Sequence, residues 1–125
     1  MPKINIIHDK PLIEDVFNYD VIVLGTGIHN ALGNGFQYDI KINFPEVEET
    51  VKKTPYADPR KLGTVTVINR TPVFCVGFIH KGGYRKDLNP DYLNYESLRE
   101  VLSLIDENFE NKRIACPLIG CSKYD

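Results

Sequence analysis

The stretch from Val21 to Ile40 constrains the fold most, because a strand, a glycine-rich loop and a helix follow one another there. Val21–Leu24 is a continuous apolar run, which is typical of a short buried strand. Four glycines then predict a loop: Gly25, Gly27, Gly33 and Gly35. After them Phe36, Ile40 and Phe44 recur at helical spacing. Glycine allows close backbone approach and a first helical turn has unpartnered N–H groups, so this order of elements predicts an anion-binding site.

The glycine spacing differs from the two common phosphate-binding motifs. Gly25-Thr26-Gly27 begins like a dinucleotide fingerprint, but Asn30 stands where the third glycine belongs. No Lys-Ser/Thr pair follows, which excludes a Walker A loop. Two interpretations stay open. The loop holds the diphosphate of a nucleotide-like ligand, or it is a turn that serves packing alone.

The composition excludes several classes of protein. The 125 residues suffice for one domain with a single core, which we expect to span residues 1–125. The net charge of −2 provides no basic field for nucleic-acid binding. Apolar runs are too short for a membrane span, and the N-terminus lacks a signal-peptide pattern. We therefore expect a cytoplasmic protein without membrane or nucleic-acid partners.

The cysteines and histidines indicate neither a disulfide framework nor a metal site. Three cysteines without paired spacing argue against disulfides, and the three histidines are scattered. Cys75 and Cys116 lie in apolar runs, which predicts buried thiols, whereas Cys121 lies in a Gly-Cys-Ser loop. We predict no metal and no cofactor.

Strand and helix patterns alternate along the chain. The predicted strands are Ile4–Ile7, Val21–Leu24, Gly63–Ile68, Val73–Ile79 and Arg113–Ile119, of which the third and fourth form a hairpin. The predicted helices run from after Gly35 to about Asn43, over Glu46–Lys53 and over Asn94–Asn108. The last carries one apolar stripe: Leu98, Val101, Leu102, Ile105 and Phe109. This order predicts an α/β fold of three layers, α/β/α, with a mixed sheet and helices on both faces.

Three loops follow strands and therefore fall where α/β sheets bind ligands, beyond the strands' carboxyl ends. They cover residues 25–35, 80–92 and 120–125. The sequence thus predicts one site built from all three loops.

Several segments, taken together and in order, carry a resemblance that covers nearly the whole chain. They are Ile6-Ile7-His8-Asp9, Val21–Gly35, Ile40–Pro45, Leu62-Gly63-Thr64, Tyr95–Leu102 and Ile114–Cys121. In this order they resemble the macro domain family, most closely its compact phosphatase-like and ADP-ribosyl-glutamate-hydrolase-like branch. The resemblance implies a macro-domain-like fold and a ligand, ADP-ribose or an ADP-ribosylated substrate. Family members read, remove or process ADP-ribose modifications.

The resemblance also implies which residues contact the ligand. Asp9 would accept a hydrogen bond from the adenine amino group, which suits a carboxylate. The backbone of Gly33–Phe36 would hold one side of the diphosphate, and Ile119–Tyr124 would close over the other. Phe36 would pack either against a ribose or into the core. The full predicted set is Asp9, Gly27, Ile28, His29, Asn30, Gly33, Asn34, Gly35, Phe36, Ile119, Gly120, Cys121, Ser122, Lys123 and Tyr124.

Departures from the family pattern leave the chemistry open. Gly27 stands where many hydrolytic members carry an asparagine. One branch uses a lysine after the mid-sheet strand and an aspartate in the second loop, and Lys81 and Asp125 match them. Lys81 would attack the anomeric carbon of the distal ribose, which needs an amine kept neutral by burial, while Asp125 would transfer protons. The alternatives are a phosphatase acting on ADP-ribose 1″-phosphate and a non-catalytic ADP-ribose-binding or protein-interaction module.

The C-terminal region is shorter than the family pattern. Family members continue with a helix and a final strand beyond the second ligand loop, in which this sequence stops. Two interpretations stay open. Either the sheet lacks its last strand and exposes an edge that allows self-association, or the fold closes differently.

Overall fold

The computed structural model describes residues 12–32, 36–81 and 94–117. Its strands are β1 (Val21–Gly27), β2 (Val65–Ile68), β3 (Val73–His80) and β4 (Ile114–Ala115). Its α-helices are α1 (Phe36–Asn43), α2 (Pro45–Lys52) and α3 (Tyr95–Asn108), and short 3-10 helices cover Leu12–Asn18 and Pro59–Lys61. The predicted strand Ile4–Ile7 lies outside the described residues.

The four strands form one mixed sheet in the order β2-β3-β1-β4. Strand β1 is parallel to both β3 and β4, with Val21 opposite Val73 and Ile114. Strand β2 is antiparallel to β3, so the predicted hairpin is confirmed. The long, apolar β1 and β3 lie at the centre, where strands are covered on both faces.

Alternate residues of the central strands face two separate apolar cores. On one face Ile22 and Phe74 pack with helices α1 and α2 through Ile40 and Val47. On the other face Val23 and Cys75 pack with α3, chiefly through Val101 and Ile105. The protein is therefore a three-layer α/β/α fold with helices on both faces of a mixed sheet, as the sequence predicts.

Local signals place the helix ends. Helix α1 stops before Phe44, because a residue that precedes proline avoids the helical region. Pro45 then starts α2, where a missing N–H costs nothing. The side chain of Asn94 caps α3 by accepting a hydrogen bond from the Ser97 N–H at 2.9 Å. The three predicted helices are thus confirmed to within a residue or two.

Several details differ from the prediction. Strand β1 continues through Gly25 and Gly27, which were predicted in the loop, because both pair with β3. Strand β4 covers only Ile114–Ala115, since Pro117 offers no N–H to a neighbouring strand. Cys116, just beyond β4, is consequently exposed and not buried, whereas Cys75 is buried as predicted. Leu102 in α3 is 45% exposed and lies off the buried stripe.

None of the helices among the described residues is long and apolar enough to cross a membrane.

Candidate functional site

The crevice between the carboxyl ends of β1 and β3 is the candidate site. These strands are parallel neighbours. The chain leaves β1 towards α1 and α2 on one face of the sheet, and leaves β3 towards α3 on the other face. Connections that diverge to opposite faces mark a topological switch point, and open α/β sheets bind ligands in the crevice at such points.

The structure brings the predicted residues Gly27–Asn30 and Lys81 together at this edge. Gly27 pairs with His80, the last residue of β3, and the Ile28 N–H donates to the His80 carbonyl at 3.1 Å. Lys81 directly follows. The Ile28 side chain is buried in the core, so this residue anchors the loop mainly through packing and backbone bonds.

The His80 ring covers the open side of Gly27. A Cβ atom at residue 27 would lie 2.3 Å from the ring's Cε1, so no larger residue fits there unless the ring moves. Glycine at this position therefore serves the contact between β1 and β3. Sequence reasoning placed His80 in a loop and missed it as part of the site.

The segment that precedes β2 contacts the loop after β1. Because β2 is antiparallel to β3, it begins at the edge where β3 ends. Within this segment the Ala57 N–H donates to the Ile28 carbonyl at 2.8 Å. The Tyr56 ring meets the His29 ring edge-on at 5.4 Å between centroids, yet it stays 71% exposed. Sequence reasoning treated this stretch only as a polar loop.

A buried polar network joins the same segment to the loop after β1. The Lys61 ammonium donates to the Asn30 side-chain carbonyl and to the Thr54 hydroxyl, the latter at 3.1 Å. The Asn30 amide donates back to the Thr54 carbonyl at 3.2 Å. Asn30 has a positive φ of 63°, a conformation that asparagine tolerates better than most residues. The network thus fixes the turn at the end of β1.

Lys61 is an unusual lysine. It is only 6% exposed, and its ammonium lies 4.5 Å from the centroid of the Phe78 ring. Burial lowers the pKa of its amine, while the charge of Asp58 acts in the opposite direction. Asp58 itself pairs with Arg60 at 2.8 Å, and this contact lowers the Asp58 pKa to about 2.

The first turn of α1 contacts both the core and strand β1. Phe36 is partly buried and packs against the core, which favours the second of its two predicted roles. The Gln37 side-chain amide donates to the Gly25 carbonyl in β1. Together these contacts hold the first turn of α1 against the core and against β1.

Lys81 has the predicted position but not the predicted environment. It lies directly after β3, yet it is exposed. The expected burial of its amine is therefore wrong, and its catalytic role stays a prediction. The buried lysine at this edge is Lys61.

The remaining predicted residues lie outside the described residues. They are Asp9, Gly33, Asn34, Gly35, Ile119, Gly120, Cys121, Ser122, Lys123, Tyr124 and Asp125.

A second concavity lies between β2 and α3. This groove of about 450 Å³ is lined by Thr64, Val65, Val67, Leu104, Ile105, Asn108 and Phe109. Among the described residues its lining carries no charged side chain, so this part of the chain offers a phosphorylated ligand no ionic partner there.

Comparison with known proteins identifies the fold alone. No family model matches the sequence, and no curated protein matches it. A structure of a protein of unknown function from Bacteroides thetaiotaomicron is 19% identical, with a TM-score of 0.65 over 82% of this chain and 69% of that chain. A crystal structure of a protein from the same organism is 17% identical, with a TM-score of 0.60 over 77% of this chain and 65% of that chain. The chain therefore spans about two thirds of either neighbour's length and shares their α/β fold.

Proposed function

We propose that this chain is macro-domain-like and binds ADP-ribose or a derivative in the crevice between the carboxyl ends of β1 and β3. The observation that carries the proposal is the divergence of the two connections to opposite faces of the sheet. A crevice of this kind is where doubly wound sheets bind nucleotides.

The glycine segment that precedes α1 and the first turn of this helix support an anionic ligand. Helix α1 begins at Phe36, immediately after Gly33–Gly35, so the N–H groups of its first turn follow the glycine segment. Such groups bind phosphate through hydrogen bonds and through the helix dipole. The contacts of Phe36 and Gln37 hold that turn against the core and β1. The diphosphate of ADP-ribose is the part of the ligand that we assign to this place.

The chemistry that follows binding has three candidates. These are hydrolysis of ADP-ribose 1″-phosphate, removal of ADP-ribose from protein side chains, and binding without reaction. The exposure of Lys81 disfavours a route through a lysine adduct, because that route depends on a buried amine. The activated-water route and the binding module need no neutral lysine, and this observation favours them.

Gly35→Glu is expected to weaken ADP-ribose binding at least about 100-fold, because it introduces bulk and negative charge beside the proposed diphosphate position. Isothermal titration calorimetry with ADP-ribose, and with AMP as the truncated ligand, measures the loss. Asn69→Glu is the matched control. It adds the same charge at an exposed residue in the turn between β2 and β3, at the opposite sheet edge.

Two results would contradict the proposal. One is the absence of heat with the unsubstituted protein at millimolar ADP-ribose. The other is unchanged affinity in Gly35→Glu, which would place the diphosphate elsewhere.

Incubation with ADP-ribose and borohydride is expected to leave the mass of the protein unchanged, because exposed Lys81 lacks the burial that a nucleophilic amine needs. Intact-mass spectrometry provides the measurement, with Lys81→Ala as the control. Release of phosphate from ADP-ribose 1″-phosphate would then assign the phosphatase activity. A reduced adduct that disappears in Lys81→Ala would overturn the expectation and establish the lysine route.

A further inference from the structure

Lys61 provides a buried cation that is held by neutral groups. Lysine is almost never buried without a charged partner. Here the ammonium contacts the Asn30 carbonyl oxygen, the Thr54 hydroxyl and the face of the Phe78 ring. The ion pairs within residues 12–32, 36–81 and 94–117 include none between Lys61 and a carboxylate. Its positive charge is therefore stabilised by dipoles and left without a counter-ion in this part of the chain.

The nearest acid on the same segment does not neutralise this charge. Asp58 lies three residues earlier, but its carboxylate makes hydrogen bonds to both the Nε and the terminal nitrogen of Arg60, at 3.1 Å and 2.8 Å. Asp58 is thus ion-paired with Arg60, and within the described residues it makes no ion pair with Lys61.

This charge lies near the carboxyl ends of the two strands that flank the proposed ligand site. Asn30 belongs to the loop that leaves β1, and Phe78 lies two residues before the end of β3. The Lys61 ammonium therefore contacts one group near the carboxyl end of each strand, the Asn30 side chain and the Phe78 ring. A charge in a low-dielectric surrounding is screened less than a charge in water.

We infer that Lys61 is the electrostatic and positioning residue of the crevice, where it attracts the diphosphate of the ligand and holds the loop after β1 through Asn30. The inference rests on the proposed function for the location of the ligand. The inference adds an explanation of why the site prefers an anion. The positive charge comes from a lysine in the protein interior, not from an arginine or lysine at the surface.

Two substitutions cancel the positive charge in different ways. Lys61→Met deletes it and leaves an apolar side chain of similar length beside Phe78. Asn30→Asp keeps Lys61 and its acceptor but places a carboxylate next to the ammonium, at a residue type that also tolerates positive φ. Thr54→Val is the control, since it removes hydrogen bonds from the same network and changes no charge.

Calorimetry with ADP-ribose, and with inorganic pyrophosphate as the minimal anion, tests the inference on the full chain. We expect Lys61→Met and Asn30→Asp to lose at least about tenfold in affinity for both ligands. Thr54→Val should stay within about threefold of the unsubstituted protein, and urea unfolding of each variant reports its folded fraction. A structural role alone would make the loss of affinity follow the loss of stability, with Thr54→Val affected as strongly as Lys61→Met.

The outcomes separate the inference from the proposed function. If the unsubstituted protein binds pyrophosphate in a Lys61-dependent way but does not bind ADP-ribose, the anion site stands and the proposed ligand is wrong. If ADP-ribose binds and the folded Lys61→Met and Asn30→Asp variants bind it as tightly as the unsubstituted protein, the inference is overturned. If neither ligand binds, both are overturned.

Discussion

Replacing Phe74 with alanine is expected to lower the free energy of unfolding by about 3–5 kcal/mol. Phe74 lies in the central strand β3 and is fully buried. Its ring centroid is 5.0 Å from that of Phe44, and the Arg70 guanidinium lies over both rings. Removal of the ring leaves a cavity between β3 and the helical layer, and a strand that pairs on both sides cannot move in to fill it.

Urea unfolding followed by circular dichroism measures this effect, with Val67→Ala as the control. Val67 is in the neighbouring strand β2, but it is 42% exposed, so its truncation is expected to cost less than about 1 kcal/mol. Similar losses in the two variants would show that Phe74 does not occupy a rigid core position.

Asn30→Ala is expected to cost about 2–4 kcal/mol, because it removes one partner of a buried charge. The Lys61 ammonium would lose its side-chain carbonyl acceptor, and the Thr54 carbonyl would lose the Asn30 amide. Alanine is also disfavoured at the positive φ that residue 30 adopts. Lys61→Met is expected to cost less than about 1.5 kcal/mol, since an apolar side chain of similar shape replaces the charge and Asn30 still bonds Thr54.

Urea unfolding measures the free energy of unfolding of both variants, and the difference between Asn30→Ala and Lys61→Met is the test. Asn30→Gly separates the contributions, because glycine accepts a positive φ and isolates the loss of the side chain. If Lys61→Met proves as destabilising as Asn30→Ala, the ammonium contributes net stability, and its burial needs no functional explanation.

The layer arrangement could be predicted because its signals are local. The apolar runs of β1 and β3, the break at Phe44-Pro45 and the Asn94 cap all act within a few residues. The strand status of Gly25 and Gly27 could not be predicted in the same way, since glycine carries no apolar side chain. Pairing with β3, far along the chain, decides it.

The candidate site was predicted only in part, for a similar reason. The glycine-rich loop and the position of Lys81 follow from the sequence around them. The burial of Lys61 does not follow from the sequence, because a lysine in a polar, proline-containing stretch is expected to be exposed to solvent. Its partner Asn30 lies 31 residues away, and the pairing of β3 with both β1 and β2 brings the two together. His80 joins the site through the parallel pairing of β3 with β1, and Tyr56 joins it through its ring contact with His29; neither had a local signal.

Titration of the isotopically labelled protein with ADP-ribose, followed by backbone amide NMR shifts, tests the central claim most directly. The claim is that the ligand occupies the crevice between the carboxyl ends of β1 and β3. We expect saturable shifts at the amides of Gly27–Asn30, Tyr56 and His80–Lys81, with smaller shifts for AMP. Absence of saturable shifts at millimolar ADP-ribose, or shifts confined to the groove between β2 and α3 around Val67 and Leu104, would contradict it.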